Sequence, residues 1–148
     1  MGITKVEKNA WILLLAIGVL ALVGAVLLGL GIDQSNQALD TILGMTLSEL
    51  KDSNPDFFKV FLFYVRFSAL SDLGFAFLII AVSVTAYRRG EKWAWYALWS
   101  VPAWFIGSAA ISVSVVPPVS VLLPPIMVFA ILGLLGQLLS YRKFFGRK

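Results

Sequence analysis

The chain has 148 residues, of which 59% are hydrophobic and only 14% charged, a composition that argues against an ordinary soluble domain, where about a quarter of residues are charged. It contains no cysteine and no histidine, which excludes disulfides, thiol nucleophiles, Cys- or His-ligated metals, bis-His haem and Ser-His-Asp hydrolysis in this chain alone. The net charge of +4 comes from basic residues that flank apolar segments, so it reads as membrane anchoring and not as nucleic-acid binding.

The first apolar segment runs from about Ala10 to Ile32, carries no charge and is long enough to span a bilayer. Lys5 and Lys8 precede it as they would in a signal peptide. The segment is too long for an h-region, however, and no convincing small-x-small cleavage site follows, so a retained helix is expected. Ala21, Ala25 and Gly29 recur every four residues and form a small-residue face for close helix contact.

A polar stretch from Asp33 to Pro55 comes next. Within it, Thr46-Leu-Ser-Glu49 fits a capping box, which predicts a short helix ended by Asn54-Pro55 and lying on the membrane surface. The second span covers roughly residues 57–87. It exceeds the length a bilayer requires, and Phe57, Phe58, Phe61, Phe63 and Tyr64 enrich its outer end as an interfacial belt would. The third span, residues 93–116, follows the basic turn Arg88-Arg89-Gly90-Glu91-Lys92 and opens with Trp93, Trp95, Tyr96 and Trp99. Pro102 is expected to kink it. The fourth span covers residues 118–141. Pro117-Pro118 suits its start, whereas Pro124-Pro125 is expected to break its hydrogen-bond ladder.

Nine Lys and Arg lie in the N-terminal tail, the second connection and the C-terminal tail. The first connection sets Lys51 and Lys59 against five acidic residues, and the third connection has no charge. The positive-inside rule then places both termini in the cytoplasm. The expected architecture is a single all-α domain over residues 1–148, an integral membrane four-helix bundle in the cell membrane, N-in and C-in, with a short surface helix in the first outer connection.

Two charges fall within or near the second span. Intramembrane charges are costly and point first to function. Arg66 lies near the outer end, where its guanidinium can snorkel. Asp72 is short and cannot. It lies 16 residues before Arg88, about 24 Å along a helix, in the outer third of a core about 30 Å thick. Arg66 and Asp72 are about 120° apart around the helix, so Ser68, one turn before Asp72, is the better local partner. The same depth on the third helix falls at Ser108, with Ser112 one turn further out. On the fourth helix it falls at Ile126, beside Pro124-Pro125, whose missing donors free the carbonyls of Ser120 and Val121.

Two readings compete for this layer. In one, Asp72, Ser68, Ser108, Ser112, Ser120 and Arg66 bind a proton, a cation or a polar small molecule, as broken helices do in transporters. In the other, a neutral or hydrogen-bonded Asp72 holds helices together. Gln137, beside Gly133, Gly136 and Ser140, reads as an interhelical hydrogen-bonding residue. No catalytic residue, metal site or cofactor motif stands out. The first span lacks the carboxylate of small multidrug exporters, and the glycines are helix-packing positions and not phosphate loops.

The run from Tyr87 to Trp99, YRRGEKWAWYALW, resembles the hairpin of a group of small, uncharacterised four-helix membrane proteins of bacteria and archaea. The run from Gly44 to Leu50, GMTLSEL, is similar to their outer-loop helix. The resemblance implies the fold and no activity. In such a hairpin Arg88, Arg89 and Lys92 would bind anionic lipid headgroups, with Trp93 at the ester level.

Three function classes follow. The chain is a membrane protein that binds or moves a small ligand or ion near Asp72; or an accessory subunit of a larger membrane complex or a homo-oligomer, packed through Ala21, Ala25 and Gly29; or a lipid-modifying enzyme. The last is weakest, because no second acid-base group accompanies Asp72.

Overall fold

The computed structural model describes residues 5–30, 44–115 and 123–146. Among these, every regular element is helical: α1 (Lys5–Asn9), α2 (Trp11–Gly29), α3 (Leu47–Ser53), α4 (Pro55–Val82) continued by a π turn (Ser83–Tyr87), α5 (Lys92–Ala97), α6 (Ser100–Val115) and α7 (Leu123–Phe145). Four helical stretches are long and apolar enough to cross a membrane: Glu7–Gly29, Pro55–Tyr87, Lys92–Ser114 and Pro124–Phe145. Their outer surfaces carry Leu20, Leu70, Phe77, Leu78, Ile111 and Leu138, all exposed. Water would not tolerate that surface, whereas lipid would. Helices suit this solvent because each satisfies its own backbone.

Local chemistry sets the boundaries. Thr46 Oγ1 accepts from the Glu49 amide at 3.2 Å, while the Thr46 amide donates to Glu49 Oε2 at 2.7 Å, so both partners of the expected capping box are in place. Asn54 then closes α3 and opens α4. Its Oδ1 accepts from the Phe57 amide at 3.1 Å, with Pro55 at the first helical position. At the far end of this long helix, Gly90 has φ +83°. The Gly90 amide donates to the Tyr87 carbonyl and the Glu91 amide to that of Ala86, the paired closure of a Schellman motif.

Pro102 interrupts its span as expected. The third span breaks at Leu98–Trp99, one turn before Pro102. Pro102 cannot donate to the Leu98 carbonyl, which takes the Val101 amide at 3.1 Å instead. Pro124 and Pro125 lie at the start of α7 as described, from Leu123, and the carbonyls of Ser120 and Val121 that their missing donors would free lie outside the described residues. The last helix also continues past Tyr141 to Phe145, because Phe144 packs on Tyr87 and Phe145 on Trp95. Pro117-Pro118 and the outer ends of the first and third spans lie outside the described residues.

The helices pack as two antiparallel hairpins. Extensive contact joins α2 to α4, α6 to α7, and α2 to α7, but not α4 to α6. Glycines set the closest approaches. A Cβ on Gly18 would lie 2.8 Å from Ile80 Cγ1, and one on Gly136 would lie 3.1 Å from Leu14 Cγ. Gly133 accommodates Pro102. Of the small-residue face on α2, Ala25 is buried and Gly29 faces Ala69 of α4, so it packs within the chain.

Candidate functional site

In the half of the bundle away from the basic hairpin, the four spans line a half-open cavity of about 340 Å³. Helix α2 contributes its small residues Ala21, Gly24 and Ala25, with Leu20 and Leu28 beside them. The absence of bulk on this face opens the space. Helix α4 contributes Ser68, Asp72 and Phe75, spaced so that all three fall on one side of the helix. Helix α6 adds Trp104, Phe105 and Ser108, and α7 adds Ile126 and Phe129. The depth-matched residues Asp72, Ser108 and Ile126 therefore share one wall.

Among the described residues, Asp72 is the only charged one in that wall. Its carboxylate has no hydrogen bond or ion pair among the described residues. Ser68 lines the same cavity but does not hydrogen-bond Asp72. The neighbouring Ser71 hydroxyl donates to the Phe67 carbonyl at 3.0 Å. Two ring pairs frame the space. Phe75 of α4 meets Trp104 of α6 with centroids 5.3 Å apart, and Phe105 of α6 stacks on Phe129 of α7 at 5.1 Å.

Two sequence candidates, Arg66 and Ser112, are not among the residues that line the wall, and a third, Ser120, is not described. Arg66 is exposed on another side of α4, where it borders a shallow recess with Lys59, Phe63, Phe67 and Leu70. Ser112 points its hydroxyl at the Ser108 carbonyl, 2.8 Å away. Ser120 and the carbonyls of Ser120 and Val121 lie outside the described residues. No group of three or more His, Cys, Asp or Glu that could hold a metal ion occurs among the described residues.

The basic end is built around a buried tyrosine. The π turn carries Tyr87, fully buried, toward α7. There its hydroxyl donates to the Gly136 carbonyl at 3.1 Å and is hydrogen-bonded to the Ser140 hydroxyl. Ser140 Oγ also reaches the Gly136 and Gln137 carbonyls. Trp95 Nε1 donates to the Gln137 carbonyl at 3.1 Å. Lys143 Nζ donates to the carbonyls of Tyr87 and Arg88, each at 2.9 Å, and so places a cation at the negative end of the α4 dipole. Gln137 is fully buried, as an interhelical hydrogen-bonding residue would be. Its Nε2 and the hydroxyl of Ser83 have no partner among the described residues.

Arg88, Arg89, Lys92 and Trp93 are exposed together at this end. The Arg88 guanidinium lies 5.3 Å from the Trp11 ring centre, and Lys92 Nζ lies 5.5 Å from that of Phe145. Trp93 is 55% exposed and donates to Glu91 at 2.6 Å. Sequence reading gave Tyr87 and Lys143 no packing role, and Trp95 only a place among the interfacial aromatics. The Gly136, Gln137 and Ser140 spacing marked a polar face on the last span, but a π turn that aims Tyr87 at it has no periodic signature. No protein family, curated protein or solved structure matches this chain.

Proposed function

We propose that this is a multi-pass protein of the cell membrane, with both termini cytoplasmic, that binds a small ligand in the cavity around Asp72. The observation that carries this reading is a carboxylate, without a partner among the described residues, in the wall of a cavity shared by four apolar helices. Leaving such a group unpaired in an apolar setting is costly unless a ligand or water answers it. The volume, about 340 Å³, lies within the range of small-molecule sites, about 300–1,000 Å³.

The orientation rests on the basic hairpin and tails against the acidic first connection. With that orientation the cavity belongs to the outer half, and α3 is the short surface helix of the outer connection. Arg88, Arg89, Lys92 and Trp93 would then meet anionic headgroups. Membership of the group with the YRRGEKWAWYALW-type hairpin is part of the same proposal. The alternative remains an accessory subunit of a larger membrane complex; of the face it would use, Ala25 is buried and Gly29 lies against Ala69 of α4.

The test is a high-resolution structure in lipid of wild type and of Asp72→Asn. Non-water density touching Asp72 and Ser108 in wild type, lost in the Asn variant at unchanged thermal stability, is the expected result. A collapsed, dry wall in both proteins would reject the site and leave Asp72 with a structural role.

A further inference from the structure

The chemistry of the cavity narrows its ligand, and this step rests on the binding reading above. We propose that the occupant is an organic ammonium with an apolar body, which reaches Asp72 from the bilayer through the seam between α4 and α6.

Among the described residues the wall offers one carboxylate and the hydroxyls of Ser68 and Ser108. A hard metal ion needs about six or more oxygen ligands in a defined shell, more than these described side chains supply. A single fixed charge is matched by a single opposite charge. The same lining holds four aromatic rings, Phe75, Trp104, Phe105 and Phe129, beside aliphatic and small residues of α2 and α7. Ring faces attract a cation and also bury hydrocarbon, which is the combination used to hold substituted ammonium groups. A hydrated inorganic ion would gain little from four rings. A neutral apolar ligand would leave the Asp72 carboxylate unanswered.

The route follows from the packing. Helices α4 and α6 face each other across the cavity without extensive contact, unlike the other neighbouring pairs. The Phe75–Trp104 ring pair spans this seam. Trp104 lines the cavity and is nevertheless 49% exposed, so one residue touches both the cavity and the lipid-facing surface. An amphiphilic cation that partitions into the membrane meets the site at that seam without crossing water.

The experiment is equilibrium binding of radiolabelled benzyltributylammonium to the full chain in lipid nanodiscs, with empty nanodiscs subtracted. A neutral benzyl compound of matched size serves as the comparison, and sodium and calcium ions serve as competitors. Saturable binding near one ammonium per chain is expected. It should weaken by about tenfold or more with the neutral compound and with Asp72→Asn, recover with Asp72→Glu, and weaken several-fold with Trp104→Ala. Equal binding of the neutral compound to wild type would overturn the ammonium assignment and leave the cavity a binding site. Displacement of the ammonium by sodium or calcium at about millimolar concentration would replace it with an ion site and again leave the binding reading standing. Absence of saturable binding by ammonium, neutral compound and ions to folded wild type would remove both. The wild-type comparison of charged and neutral probes decides the class even if Asp72→Asn does not fold.

Discussion

Tyr87 shows how much one residue can organise in an apolar bundle. Its ring packs on Phe144 with centroids 4.8 Å apart, its hydroxyl meets Gly136 and Ser140, and its carbonyl accepts from Gly90 and Lys143. Tyr87→Phe should cost about 1 kcal/mol, read as a lowered unfolding temperature in detergent. The loss stays small because Ser140 keeps its bonds to the Gly136 and Gln137 carbonyls. Tyr87→Ala also removes the buried ring and should cost about 3–5 kcal/mol. A Phe variant as unstable as the Ala variant would mean that the hydroxyl network, and not ring packing, dominates. Sequence reading gave this residue no packing role for a physical reason. A tyrosine beside two arginines matches an interfacial anchor equally well, and only the extra residue of the π turn rotates it inward. Asp72 was legible for the opposite reason: a charge within an apolar run is conspicuous without any knowledge of its neighbours.

Among the elements, those whose signals are local were the ones readable in advance. The capping box at Thr46 and Glu49 and the Asn54-Pro55 junction each depend on a few adjacent residues, and α3 begins and ends where they placed it. Prolines were harder, because their effect depends on where a helix starts. Pro102 acts one turn upstream, at Leu98–Trp99. Two expectations belong at this scale. Gly90→Ala forces a side chain into the left-handed region and should cost about 1–2 kcal/mol, seen as earlier thermal unfolding. A Cβ there would lie 3.7 Å from Lys143 Cε, an ordinary contact, so backbone strain and not crowding sets the loss. The second concerns pH. The Thr46 amide, and then its hydroxyl, hold the Glu49 carboxyl below its ordinary value of 4.5. A group with a depressed folded value contributes stability above its unfolded value and loses it as pH falls through the folded one. Protection of the α3 amides, the exchange rate relative to its intrinsic value at each pH, should therefore be constant above pH 4.5 and fall below it, while Glu49→Gln should flatten that dependence. Protection already lost near neutral pH would contradict this assignment.

For the whole molecule, hydropathy and charge placement made the four spans legible, whereas the pairing of helices was not. Nothing in an apolar segment says which face its partner takes until glycines and prolines meet, as Gly18 meets Ile80 and Gly133 meets Pro102. The cavity was legible only as a layer of equal depth. That α2 opens it by contributing Ala21, Gly24 and Ala25 became apparent once helices were packed. The proposed orientation has a direct check, made easy by a chain without cysteine. Lys51→Cys should react with a membrane-impermeant maleimide added outside intact cells, and Arg89→Cys only after the membrane is opened. The reverse pattern would invert the topology and turn the cavity toward the cytoplasm.

The bonds between Lys143 and the carbonyls of Tyr87 and Arg88 join residues more than 50 positions apart, and they carry a consequence for biosynthesis. When the first hairpin leaves the ribosome, the Tyr87 hydroxyl has no acceptor on α7 and the end of its helix has no cation, because the residues that supply both have not yet been made. Helices α2 and α4 can insert and pair in that interval, but their basic end stays unfinished until the last turns of α7 arrive. The final stretch of the chain is therefore the part that completes assembly, and a nascent protein halted before Gly136 exposes the polar groups by which membrane quality control could recognise an incomplete bundle.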